Sequence, residues 1–241
     1  MPICKMCGQD RKLIQAHIIP RSFWNNQMRG DEPLAILTNK PGWKPIKSPI
    51  GEYDSNILCE QCDNQLGVFD QHAYENLVLD SGTPFGHQGK TLGFSYPKAD
   101  STLIRKFITS VVWRASISGR NYFNRIRLGK YEDVFKEYFL GDDNIGLSIS
   151  CLMAEFDRGD VPFLNPQYSR MEGIKFAVVF ANRFTFYAKV DQQPLPDVFK
   201  QSEIKQGSLV TSIMREWETS HQKRAMLELV HQNPKPGFWK K

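Results

Sequence analysis

Two short cysteine pairs, Cys4-Lys5-Met6-Cys7 and Cys59-Glu60-Gln61-Cys62, carry the most specific chemistry in the chain. Each places two residues between its thiols, and two such pairs can close a tetrahedral sulfur shell around one Zn²⁺. Four of the five cysteines lie in these pairs, which chance pairs of buried free thiols would not explain. Redox use of one C-x2-C would leave the other pair without a purpose. The spacing therefore predicts a structural zinc ion held by Cys4, Cys7, Cys59 and Cys62. Its binding would contribute folding energy to a segment too small to be stable alone. Cys151 lies by itself in a strand-like stretch and reads as a small buried hydrophobe.

Fifty-one residues separate Cys7 from Cys59, so a small fold must sit between the knuckles. Lys12–Ile19 reads as a strand stopped by Pro20. Residues 21–55 are rich in Gly, Pro, Asn and Lys; Pro41, Gly42, Pro45, Pro49 and Gly51 forbid a long helix, and Trp24 and Trp43 are the expected anchors. From the second knuckle a helix runs from Asp63 to about Asp80, with Asp63 or Asn64 able to cap its start. Leu66, Phe69, Ala73 and Leu77 make one apolar stripe on it; Asp63, Gly67, Asp70 and Tyr74 make the neighbouring stripe. Strand, turn, strand and helix pinned by knuckles at both ends describe a treble-clef zinc finger. The expected fold class is α+β. A treble-clef (ββα-metal) zinc domain over residues 1–82 is followed by a mixed domain of helices and antiparallel strands over residues 100–241.

Within the second part, residues 81–100 read as a linker and Ser101–Ser118 as an amphipathic helix that Gly119 stops. Tyr131–Leu140 is a further short helix, and Leu147–Phe156 and Ile174–Val190 are strands. Ala181-Asn182-Arg183 supplies a hairpin turn inside the latter. Ser212–His231 is expected to be helical, with Ile213, Trp217, Ala225 and Leu229 available for burial, and Lys235–Lys241 forms a basic, aromatic tail. His72, His221 and His231 are expected at the surface.

Cys-x2-Cys, then His17-Ile18-Ile19-Pro20, then Leu58-Cys59-x2-Cys62-Asp63-Asn64, resembles the HNH endonucleases of the His-Me-finger type. The resemblance covers about residues 1–80, one third of the chain. It implies a metal-dependent phosphodiesterase acting on nucleic acid, with DNA as the expected substrate. In such enzymes the histidine before the Ile-x-Pro turn is the general base, here His17. A neutral imidazole of reference pKa about 6.5 suits proton abstraction from the attacking water. A divalent ion, typically Mg²⁺, would stabilise the pentavalent phosphate near the helix start. The ligand position after the last knuckle cysteine is Asp63, with Asn64 beside it. The family's middle asparagine, which braces the loop, corresponds to Asn56 or, counted without a gap, to Asp54. One departure stands out: the residue before the base commonly supplies a second metal ligand, and here it is Ala16. Asp70 lies two turns from Asp63, about 10 Å along the axis, too far to share one ion easily.

Net charge is +5 but unevenly placed. Residues 1–100 carry 10 Lys/Arg against 11 Asp/Glu, and residues 101–241 carry 21 against 15. Seven basic residues and no acidic one fall between Ser101 and Tyr131, compatible with a polyanionic partner. Arg114, Arg120, Arg125 and Arg127 are the expected phosphate contacts, and Trp113 or Tyr122 could stack. In the competing reading Trp113 and Phe123 are core and the arginines only solvate a face. The absence of a membrane-length apolar run and of a secretory h-region, with paired cysteines, points to a reducing, cytoplasmic setting. Two rival functions follow from Ala16 and from the large C-terminal part. The first is a zinc-stabilised nucleic-acid-binding module whose catalytic site has decayed. The second is a scaffold subunit that docks a partner protein.

Overall fold

The stretch from Ser101 to Ile117 is apolar on more than one side, and a helix of that kind must be covered all round. The computed structural model describes residues 2–25, 35–36, 46–47, 51–141, 145, 149–157 and 164–232. In it this helix is central. Its first turn is capped by Asp100, whose carboxylate accepts from the backbone N–H of Thr102 and Leu103. Ile104, Phe107, Ile108, Val111, Val112, Trp113 and Ala115 are all buried. The sequence reads as amphipathic, but the fold covers both faces of this helix: helices pack on one side of it and a sheet on the other.

In chain order, β1 (Ala16–His17) is followed by α1 (Arg21–Asn25), β2 (Ala35–Ile36), β3 (Ile46–Lys47) and β4 (Tyr53–Asp54). Then come α2 (Glu60–Ala73), which continues as one π-helical turn over Tyr74–Val78, and β5 (Thr83–His87) with β6 (Lys90–Tyr96). The central helix is α3 (Ser101–Ile117), followed by α4 (Tyr131–Leu140), β7 (Cys151–Phe156), β8 (Gln167–Met171), β9 (Ile174–Ala181) and β10 (Phe184–Lys189). The chain continues with α5 (Asp197–Lys200), β11 (Val210–Arg215) and α6 (His221–Gln232). Seven strands form one sheet in the order β5-β6-β11-β7-β10-β9-β8. Every neighbouring pair is antiparallel except β11 and β7. The fold is mixed α+β.

Alternation along β9 and β10 explains why both faces of the sheet are covered. Ala177, Val179, Ala181, Phe184, Phe186 and Ala188 face α3 and join the main core. Phe176, Val178, Phe180 and Tyr187 face the other way into a second cluster with Leu195. The main core is continuous from Cys4 to Val210, so the knuckle segment and the sheet share one apolar interior. Trp24 is one of its anchors and donates from Nε1 to the Ile19 carbonyl. Trp43, Leu147 and the tail from Lys235 lie outside the described residues.

Three expectations need correction. Residues 81–100 are not a linker but the β5–β6 hairpin at the sheet edge. Their glycines serve the pairing: Gln88-Gly89 turns with positive φ at both residues, and a Cβ on Gly93 would sit 2.1 Å from the Ser212 carbonyl oxygen. Ser212–His231 is not one helix. Its start belongs to β11, which β6 and β7 pair on both sides, and the helix begins only at His221. The strand around His17 is also short. Only Ala16 and His17 pair with β4, while Leu13 bridges Cys59 and the Ile14 N–H donates to the Leu58 carbonyl. Among the described residues no helix is long and apolar enough to cross a membrane.

Candidate metal centre and the strand–helix junction

The first knuckle turns tightly because the Gly8 N–H donates to the Cys4 carbonyl and Gly8 takes a positive φ. The second knuckle is the start of α2: Cys59 is its N-cap and Cys62 lies in its first turn. The Lys5 N–H donates to the Ile57 carbonyl, which brings the two knuckles side by side. One ligand atom from each of Cys4, Cys7, Cys59 and Cys62 lies within 4.8 Å of the others. Zinc–sulfur bonds of about 2.3 Å put the sulfurs of a tetrahedral shell roughly 4 Å apart, so only a small contraction is needed. The four cysteines are positioned to hold a metal ion such as zinc.

Protonation chemistry supports that use. Burial disfavours a Cys4 thiolate, but N–H groups of Cys7, Cys59 and Met6 donate to it and hold the thiol down to about 6. Burial, hydrogen bonds that the Cys62 S–H donates to the neighbouring sulfurs, and the charge of Cys4 push Cys62 well above the ordinary range. Four adjacent sulfurs cannot all ionise by themselves; a bound dication removes the obstacle.

His17 stands on β1, half-buried, with its ring 6.0 Å from that of its strand partner Tyr53. Its carbonyl accepts from Arg114 Nη1 at 3.0 Å. The same guanidinium grips Asp70 on α2 through two bonds, Nη1 to Oδ2 at 2.9 Å and Nη2 to Oδ1 at 2.6 Å. Arg114 is thus the link between β1, α2 and α3. It corrects the expectation of a phosphate contact, because its side chain is 2% exposed and already paired. The long apolar run around it is the signal that could have found this: an arginine flanked by Val111, Val112, Trp113 and Ala115 needs a buried acid.

Asp63 lies on the same face of α2 as Asp70, half-buried in the first turn. Burial pushes its carboxyl above the ordinary range, the Arg114 charge draws it down, and Asp70 raises it again. Asn64 is exposed on another face of α2, where it lines a shallow cavity with Gly67, Val68, Gln71 and His72. Asn56 is exposed too, and among the described residues only its backbone is engaged. Asp54 is the brace. One oxygen of Asp54 accepts from the Asn56 N–H at 2.9 Å; the other accepts from Ser118 Oγ and the Gly119 N–H, both at 2.9 Å. Burial opposes ionisation of Asp54, yet these three donors and the Lys5 charge hold its carboxyl below the usual aspartate value. The side-chain contacts that brace this turn are made by Asp54.

A hard divalent ion needs oxygen ligands that are not already committed. Ala16 is fully buried and offers none, Asn64 is turned away, and both oxygens of Asp70 are bonded to Arg114. Of the two carboxylates on this face of α2, Asp63 is the one that makes no hydrogen bond among the described residues, and the neighbouring guanidinium repels a dication. These residues do not fit a Mg²⁺ site.

The remaining basic residues divide. Arg105 is buried, lies over the Tyr138 ring and donates to the Ile149 carbonyl. Arg127 is exposed but bonds the carbonyls of Ser116, Phe123 and Ile126. Arg120 is half-exposed and paired with Glu52, and Arg125 is exposed beside Gln167. Trp113, Tyr122 and Phe123 are core, so none is available for stacking. His221 and His231 are exposed as expected, but His72 is not simply solvated: its Nε2 accepts from the Asp100 N–H at 2.9 Å, tying α2 to the start of α3. Comparison with protein-family models, curated proteins and solved structures finds no match for this chain.

Proposed function

We propose that this chain is an HNH-type nuclease, a hydrolase of nucleic-acid phosphodiester bonds with DNA as substrate. In this reading residues 1–82 form a zinc-bound treble clef and His17 is the general base. The observation that supports it best is the close approach of the four cysteine sulfurs, which ties the segment carrying His17 to the turn of α2 carrying Asp63. His17 would take the proton from water attacking phosphorus, which it can do only as neutral imidazole. Asp54 would keep the β4 side of the junction rigid through Ser118 and Gly119. Exposed Arg120 and Arg125 would bear on the phosphates, giving an affinity that falls steeply with salt. The divalent ion implied by the resemblance enters no step here, since its donor set is incomplete.

Plasmid nicking by wild type and His17→Ala, each with and without Mg²⁺ or Mn²⁺, tests the reading. Cutting by wild type and its loss in the variant, at unchanged melting temperature and zinc content, is the expected result. A wild type that cuts under none of these conditions removes the nuclease assignment.

A second reading draws support from buried Ala16 and from the full engagement of Asp70 by Arg114. It makes the chain a zinc-stabilised nucleic-acid-binding module without hydrolysis. Retained DNA binding with a strong salt dependence, in a protein that never nicks, selects it over a subunit that docks a partner protein.

A further inference from the structure

Arg114 directs its donors inward. Besides the two bonds to Asp70 and the bond to the His17 carbonyl, its Nε donates to the Ser110 carbonyl at 3.4 Å. With its side chain 2% exposed, no solute reaches it. Carbonyl and carboxylate oxygens converging from a strand and a helix are the donors a hard dication would gather. Here a planar guanidinium, matched to carboxylate geometry, gathers them instead. The position just before His17 is Ala16, which adds no oxygen of its own beyond the backbone. A bidentate Arg–carboxylate pair also fixes orientation, which is the templating role a metal ion often has.

We infer that Arg114 is the resident cation of the β1–α2 junction, standing where a divalent ion would otherwise sit, so that Asp63 and Asp70 hold no second metal. Arg114 is then a positioning residue: it pins the His17 backbone to α2 without touching substrate. The inference rests on the reading of His17 as the reacting residue, and it makes any hydrolysis by this chain independent of a protein-held Mg²⁺.

Mn²⁺ alone is the probe, titrated by the electron paramagnetic resonance of the free ion into the full zinc-loaded chain. Wild type and Asp63→Asn should titrate alike, because there is no junction site to lose. Arg114→Met, with both carboxylates released from the guanidinium, should gain a stoichiometric Mn²⁺ site, and adding Asp70→Asn to it should remove that site. The same ion in large excess should raise the melting temperature of Arg114→Met by about 5–10 °C, as ligand linkage requires for a chain of this size, and leave wild type unmoved. A stoichiometric site in wild type that Asp63→Asn abolishes overturns the inference. So does a folded Arg114→Met that gains nothing, since the place would then not suit a cation. If Arg114→Met fails to fold, the wild-type and Asp63→Asn titrations still decide. Plasmid nicking reports separately on the function: a chain that never cuts leaves the Mn²⁺ result standing, and a chain that cuts only with Mg²⁺ bound at Asp63 reverses the result for Arg114 alone.

Discussion

Arg114 and Arg183 each cross between elements of this fold and pair with a carboxylate, but the surroundings of the two pairs differ. In the sheet, Glu155 on β7 is buried with every oxygen served: Oε2 accepts from Tyr96 at 2.8 Å and Arg183 at 2.9 Å, and Oε1 accepts from Ser212 at 2.5 Å. Arg183 then reaches the carbonyls of Leu77 and Asp80 at the end of α2. At the strand–helix junction, Asp70 is 15% exposed and a second carboxylate, Asp63, stands on the same helix face without a hydrogen bond among the described residues. A closed network stabilises one arrangement of the chain. A network flanked by a half-buried acid that forms no hydrogen bond among the described residues holds a group that structure alone does not need, and such groups mark functional sites more often than structural ones.

The largest effect should come from a third kind of bracing, the thiolates. Cys59→Ser removes one of the four sulfurs, at the position that starts α2. Structural zinc contributes on the order of 10 kcal/mol or more in small zinc domains, beyond what any single pair in the sheet can supply. Because the core runs unbroken from Cys4 to Val210, the loss should reach the sheet as well. Zinc measured by mass spectrometry should fall to background, and the thermal transition should drop further than for any sheet variant. A zinc-free Cys59→Ser chain that melts like wild type would dissolve the distinction between the two ends of the molecule.

Next in size is the contrast between the two carboxylates. Glu155→Ala leaves a mostly buried guanidinium and two hydroxyls without their acceptor, a change that typically costs about 3–5 kcal/mol. Asp70→Asn should cost less, about 1.5–3 kcal/mol: the isosteric amide still offers one acceptor, Arg114 keeps the His17 and Ser110 carbonyls, and the repulsion of Asp63 is relieved. Urea unfolding of both variants ranks them. An Asp70→Asn loss equal to or greater than that of Glu155→Ala would mean that the junction is as closed as the sheet.

Local chemistry made part of this legible in the sequence. The knuckles announce themselves by spacing, the stripe of Leu66, Phe69, Ala73 and Leu77 is buried as its period demands, and Asn182 turns the β9–β10 hairpin with φ +58°. What could not be read depends on partners distant in the chain. Thr83–Tyr96 has the glycines and proline of a loop, and becomes a hairpin because β11, over a hundred residues later, pairs with β6. Ser212–Arg215 reads as the start of the following helix because nothing nearby shows that two strands will flank it. By its charge alone Arg114 reads as a phosphate contact, and the acid that pairs with it lies 44 positions away. The bracing role of Asp54 is of the same kind, since two of its donors, Ser118 and Gly119, follow α3.

The smallest expected effect separates the junction from the sheet by pH. Asp54 is ionised and bonded in the fold with its carboxyl held below the ordinary value, so it contributes stability that is present above the unfolded value of about 3.9 and lost as pH falls through the folded one. Glu52, two residues away, runs the other way: burial raises its carboxyl despite Arg120, so its contribution is present below about pH 4.3 and lost as pH rises through its folded value. Asp54→Asn should therefore destabilise by about 1–3 kcal/mol at neutral pH, since an amide nitrogen cannot accept from Ser118 or Gly119. That gap should close as the pH is taken below about 4, where wild-type Asp54 is losing its charge as well. Thiolate–metal bonding also weakens in acid, but equally in both proteins, so the difference between them isolates Asp54. Urea titrations of the pair from neutral pH downward measure it. A gap that stays constant across that range would show that Asp54 braces the junction as a shape and not as a charge, and the acid sensitivity of this end of the molecule would then have to come from the cysteines.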